Sequence, residues 1–142
     1  MKIAIFGREF KDDFNESIYK IFETLNRNQA EIYIHEEYLK FINQDLYFFP
    51  KISGTFASSN TMPAGLDLLI SVGGDGTMLE SVSYALGADI PVVGINSGRL
   101  GFLTYVSENT LQDALTEIME GRTTLETRTL IETSSSSKGL AT

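Results

Sequence analysis

The chain has 142 residues, enough for one ordinary domain with a sizeable core, and its 42% hydrophobic and 21% charged content is that of a folded globular protein. A formal net charge of −8 disfavours nonspecific binding to nucleic acid or to an anionic membrane, so an anionic nucleotide would need a local basic site or Mg2+. No cysteine and a single histidine exclude disulfides, thiolate zinc sites and histidine-rich metal sites, which leaves oxygen as the ligand for any metal.

Lys2 to Phe6 is a compact β-branched and aromatic run that stops at Gly7-Arg8, as the first strand of an α/β fold does. It is too short to act as a signal peptide, and no stretch approaches the ~20 apolar residues of a membrane span, so a cytoplasmic location is the expectation. From Asp12 the apolar residues Phe14, Ile18, Ile21, Phe22 and Leu25 fall on one helical face, ended by Asn26 to Asn28. Glu31 to His35 alternates with Ile32 and Ile34 on one side, a second strand near a sheet edge. His35 reads as structural or solvated rather than catalytic.

A short helix over Glu36 to Ile42 and an extended piece over Leu46 to Phe49, ended by Pro50, come next. Tyr47, Phe48 and Phe49 either pack against the sheet, which their large areas favour, or form a recognition patch. Lys51 to Gly65 is rich in Ser, Thr, Gly and Asn without periodicity and reads as a loop.

Leu68, Leu69, Ile70 and Val72 have the branching of a buried strand, and Gly73-Gly74-Asp75-Gly76-Thr77 follows at once. The glycines let main-chain N–H groups approach an anion, Thr77 is placed to cap the apolar helical segment Met78 to Leu86, and the helix dipole adds to the attraction. This is not a Walker A loop, because no Lys follows, and the Gly-x-Gly-x-x-Gly dinucleotide spacing is absent. A carboxylate repels phosphate, so Asp75 is expected to manage a metal ion or a substrate hydroxyl; the alternative for the glycines is a tight turn and nothing more.

Val92, Val93 and Ile95 form another buried strand, and Asn96 to Phe102 crowds an Asn, two glycines and Arg99 into the loop after it. A helix from about Thr110, capped by Asn109, carries the stripe Leu111, Leu115, Ile118 and Met119 and stops at Gly121. Thr123 to Glu132 is strand-like and Thr133 to Thr142 is a Ser-rich, disordered tail. Alternating strands and helices predict an α/β fold, a Rossmann-like parallel sheet with helices on both faces, whose ligands bind beyond the carboxyl ends of the strands. Gly7-Arg8, Gly73 to Thr77 and Asn96 to Phe102 each follow a strand and should converge on one crevice.

Gly73-Gly74-Asp75-Gly76-Thr77, followed one strand later by Gly94-Ile95-Asn96-Ser97-Gly98-Arg99-Leu100-Gly101-Phe102-Leu103, resembles the two N-terminal signatures of NAD kinases. The first motif alone is shared in variant form with diacylglycerol and sphingosine kinases and with phosphofructokinases; the pair is far more specific. The resemblance runs from the opening strand to about Glu132 and implies a phosphofructokinase-like N-terminal domain over 1–122. It implies an ATP-dependent enzyme that phosphorylates the 2′-hydroxyl of the adenosine ribose of NAD to give NADP, with a divalent metal, Mg2+, carried largely by ATP. Asp75 would contact the reacting ribose as base or orienting group, and Gly73, Gly74, Gly76 and Thr77 would build the phosphate-binding turn. Asn96 would fix the loop geometry or only cap its own turn, and Phe102 would pack against adenine or belong to the core. Arg8 and Arg99, cations beside predicted strand ends, are added here as phosphate contacts or solvated surface residues.

NAD kinases carry a second, β-rich domain with an Asn-Glu motif and a Gly-Ser-Thr-Ala-Tyr-type segment; that segment does not occur in this chain, and its one Asn-Glu pair, Asn15-Glu16, lies near the start, in the α/β pattern. The expectation is therefore an N-terminal fragment, inactive alone, with 123–132 leading toward that domain and 133–142 as a tail. The intact protein is expected to be a homo-oligomer that binds neither nucleic acid nor membrane. A diacylglycerol-type lipid kinase, against which the Asn96 to Leu103 loop argues, and a non-catalytic nucleotide-binding module are the competing readings.

Overall fold

The computed structural model describes residues 1–10, 12–98, 101–104 and 106–125. Five strands form one sheet of order β3-β2-β1-β4-β5, with β1 Lys2–Gly7, β2 Glu31–His35, β3 Gly54–Phe56, β4 Leu68–Gly73 and β5 Val92–Asn96, every pairing parallel. The chain runs outward from β1 through β2 to β3, then crosses back to the other side of β1 for β4 and β5. The strand order therefore reverses between β1 and β4, the point at which sheets of this kind open a crevice for ligands. The expected Rossmann-like parallel sheet is present.

Period-two alternation along the inner strands feeds two separate cores. Ile3, Ile5, Ile32, Ile34, Ile70 and Val72 point to one face, where α1 (Asn15–Arg27), α2 (Glu36–Asp45) and α4 (Leu111–Met119) cover them. Ala4, Phe6 and Leu69 point to the other, where Ala85 of α3 (Asp75–Ala85) packs with Phe56 and Leu66. The stripe of α1 is buried at every expected position, Phe14, Ile18, Ile21, Phe22 and Leu25. Gly121 ends α4 as expected, with a left-handed φ of 73° that lets Gly121 and Arg122 N–H groups donate back to the Ile118 and Glu117 carbonyls.

Several boundaries differ from the sequence reading. Gly54–Phe56 pairs with Tyr33 to His35 and becomes the edge strand, so the stretch expected as loop supplies β3 and moves β2 one place inward. Three residues are too few for a periodic signal, and only the neighbouring strand makes them a strand. Leu46 to Phe49 forms no strand: Tyr47 takes a left-handed φ of 51°, and Phe48 turns inward against Tyr19 and Phe22 of α1, leaving Tyr47 and Phe49 exposed. Asn109 caps nothing; a 3₁₀ turn Glu108–Thr110 precedes α4, and the Thr110 hydroxyl accepts the Ser107 N–H instead. Residues 123–125 are exposed without regular structure, and the rest of the expected strand, like the tail, lies outside the described residues. No helix among the described residues is long and apolar enough to cross a membrane.

Candidate active site

The register of the sheet sets the site. Gly7 pairs with Val72, and Gly73 with Asn96, so the ends of β1, β4 and β5 lie side by side. The Ser97 N–H donates to the Gly73 carbonyl at 3.2 Å, tying the β5 loop to the glycine turn. Of the candidate residues, Gly73, Gly74, Asp75, Gly76, Thr77, Asn96 and Phe102 therefore share one end of the sheet.

α3 starts at Asp75, three residues earlier than expected, and its cap is Gly74 with no side-chain hydrogen bond. Thr77 is thus inside the helix, a correction to its role as cap. The cause is crowding: a Cβ on Gly73 would overlap the Thr77 side chain, which folds back over the turn. With no side chain on them, the first N–H groups of α3 point out of the helix end, where the macrodipole is positive. A Cβ at Gly74 or Gly76 would meet no atom within 4 Å. Packing does not demand glycine at those two positions; their bareness leaves the main chain open to an approaching anion.

Asp75 is half-buried, and its carboxylate is engaged by the second motif. Phe102 N–H donates to one oxygen at 2.8 Å and Leu103 N–H to the other at 2.9 Å. These backbone donors, Leu103 first, hold the Asp75 carboxyl below its ordinary range, because they stabilise the charged form. Asn96 is buried at the root of the same loop: its Nδ2 donates to the Thr104 hydroxyl at 2.9 Å, while its Oδ1 accepts the Gly98 N–H at 2.8 Å. It both caps its own turn and braces the returning strand of the loop. Gly94 lies beneath, where a Cβ would press on Thr104. Phe102 is 90% exposed, which removes the core as its place.

Arg8 sits at the end of β1 with its backbone N–H on the Val72 carbonyl, but its guanidinium forks onto the Glu80 carboxylate of α3 and lies over the Phe6 ring. As arranged, its charge is answered by Glu80 rather than held out for phosphate. Arg99 lies outside the described residues. No group of three or more His, Cys, Asp or Glu that could hold a metal occurs among the described residues. A cleft of about 440 Å³ opens beside Gly7, Arg8, Glu9 and Tyr38, and one of about 80 Å³ beside Asn96 to Gly98. Asp75 lines neither of them.

Gly101 and Thr104 escaped the sequence reading of the site. Gly101 was in view within the motif, but its importance lies in a contact with Asp75 that no local pattern reveals: a Cβ on it would overlap the carboxylate.

The chain is similar in sequence to proteins of one known family. Residues 3–123 match the family described as the ATP-NAD kinase N-terminal domain. An NAD kinase of Porphyromonas gingivalis is 40% identical over 131 residues, which are 92% of this chain and 44% of that protein. An NAD kinase of Christiangramia forsetii is 34% identical over 92% of this chain and 44% of its own length, and one of Flavobacterium psychrophilum 33% identical over 97% and 47%. The chain thus spans somewhat under half the length of the curated relatives it matches. On the extent of that match, with both glycine-bearing motifs in place at the switch point of the sheet, the chain belongs to the ATP-NAD kinase family.

Proposed function

We propose that the intact protein transfers the γ-phosphoryl group of ATP to the 2′-hydroxyl of the adenosine ribose of NAD, giving NADP and ADP. The observation that carries this reading is the joining of Asp75 to the Asn96–Thr104 loop beside an uncapped helix N-terminus. The ribose oxygen attacks the γ-phosphorus, the bond to the bridging oxygen breaks, and the hydroxyl proton passes to Asp75 or to water. Phosphoryl transfer asks a protein mainly to align donor and acceptor and to stabilise charge, and its loose transition state needs little base strength. A carboxylate whose proton affinity is lowered by the hydrogen-bond donors of the loop suits the orienting role, since it stays charged and accepts from the hydroxyl. The N–H groups at Gly74 to Thr77 would receive phosphate oxygens, and Phe102 would lie against the adenine. Mg2+ enters with ATP as part of the substrate. A homo-oligomer in the cytoplasm completes the reading, on family resemblance.

The test is an assay of the intact protein with ATP and Mg2+, offering NAD or diacylglycerol as acceptor and following NADP by a coupled dehydrogenase. Transfer to NAD is expected. Transfer to lipid alone would reverse the assignment, and tight nucleotide binding with no transfer to either would make this a binding module.

A further inference from the structure

We infer that Gly101 is a positioning residue for this reaction, acting through Asp75, and that the two form a latch that presents Phe102. The inference rests on the NAD kinase reading and goes beyond it by assigning a role to a residue that meets neither substrate.

Three observations converge. Asp75 takes the N–H groups of Phe102 and Leu103, one on each oxygen, a contact between residues 27 and 28 apart in sequence. Gly101 lies so close to that carboxylate that a Cβ would overlap both its oxygens and its carbon, so the latch closes only because the side chain is missing. The far side of the loop is held as well by Asn96 on Thr104, which is wholly buried and itself also bonds the Asp75 carboxylate, and by the Asn96 N–H on the Val106 carbonyl at 2.8 Å. The loop is thus pinned at its root and along its return, and among the described residues the hydrogen bonds at its tip go to Asp75. Phe102, at that tip, is 90% exposed, and no apolar packing fixes its backbone.

One carboxylate therefore has two tasks. It holds the Phe102 backbone, and, staying charged, it accepts from a hydroxyl. Seating the aromatic ring and aligning the acceptor are geometrically one event, because the same group sets both. A methyl group at position 101 would displace either the loop tip or the carboxylate, and each displacement moves ring and acceptor apart.

The experiment compares wild type, Gly101→Ala, Asp75→Ala and the double variant in the intact protein. Gly101→Ala should lower kcat/KM for NAD by roughly 100-fold, the scale of a misplacement near 1 Å, and leave KM for ATP within about twofold. In the Asp75→Ala background, where the carboxylate that a Cβ at 101 would meet is gone, the same change should cost less than about threefold more. Gly87→Ala, at a surface turn where a Cβ meets nothing within 4 Å, serves as the silent control. Wild-type kinetics in a folded Gly101→Ala protein, or effects that multiply in the double variant, would overturn the latch. Amide hydrogen exchange on the wild type reads it without any variant or substrate: Phe102 and Leu103 should exchange slowly at neutral pH and lose protection as Asp75 is protonated. Fast exchange of both at neutral pH also overturns the latch. Protection with no transfer to NAD would keep the latch and fail the functional reading instead.

Discussion

Phe102 places a phenyl ring in water with its backbone held by a carboxylate, an arrangement that stabilises the fold little and suits a ring awaiting a partner. Phe102→Ala should therefore leave unfolding free energy within about 0.5 kcal/mol of wild type, as exposed substitutions do. If the ring stacks on adenine, its loss removes roughly 1–3 kcal/mol of binding, which is about 5- to 150-fold in the dissociation constant for NAD. Isothermal titration of the intact protein measures this, and an unchanged constant would place the adenine elsewhere. At this scale the sequence is informative about which residues matter and poor on what they touch. Asp75, Asn96 and Phe102 stand out because an acid, an amide and an aromatic among glycines have no packing reason to be there. That Asp75 bonds Phe102, or that Arg8 is spent on Glu80 of α3, depends on a register and a crossing that only the folded sheet sets.

At the scale of elements, the meeting of β1 and α2 shows how a glycine and a buried ring fit together. A Cβ on Gly7 would strike the Tyr38 ring about 2.5 Å from its hydroxyl-bearing carbon, so the strand end is shaped to the aromatic. The Tyr38 hydroxyl is buried with no partner among the described residues, and burial pushes its ionisation far up. An unsatisfied buried hydroxyl costs roughly 1–3 kcal/mol, while the ring contributes apolar burial. Tyr38→Phe should thus raise stability by about 1 kcal/mol in urea unfolding. A loss of that size would mean the hydroxyl is satisfied by an ordered water. Elements with a strong period were legible in the sequence: the branched runs of β1 and β4, and the five-residue stripe of α1. β3 was not, because three residues carry no period, and the start of α3 was misjudged because threonine's capping preference lost to its packing over Gly73. The apolar residues of the expected segment Met78 to Leu86 also misled: Leu79 and Leu86 are exposed, and the buried residues of α3 are Ser81 and Ala85.

For the whole molecule, pH is the variable that separates its parts, because this chain has one histidine and buries it. His35 ends β2 and packs among Phe6, Phe56 and Tyr84, with its Nε2 3.3 Å from the Tyr84 hydroxyl. Burial first, and then the positive charge of Arg8, hold its pKa below the ordinary 6.5, against the opposing pull of Glu37 and Glu36. It also directly precedes α2, where the helix dipole disfavours a cation. The folded protein therefore binds fewer protons here than the unfolded chain, and stability rises with pH across that interval. The contribution is whole above pH 6.5 and is lost progressively below it, down to the lowered folded value. Asp75 acts in a separate window: its depressed pKa makes the carboxylate's contribution present above 3.8 and lost as pH falls through the folded value beneath it. Urea midpoints measured from pH 8 to pH 5.5 should thus decline below 6.5 in wild type, and in His35→Phe, whose ring suits the aromatic cluster, the decline should vanish. An undiminished decline in the variant would assign it to surface carboxylates instead, and with them to the net charge of −8 rather than to the buried ring.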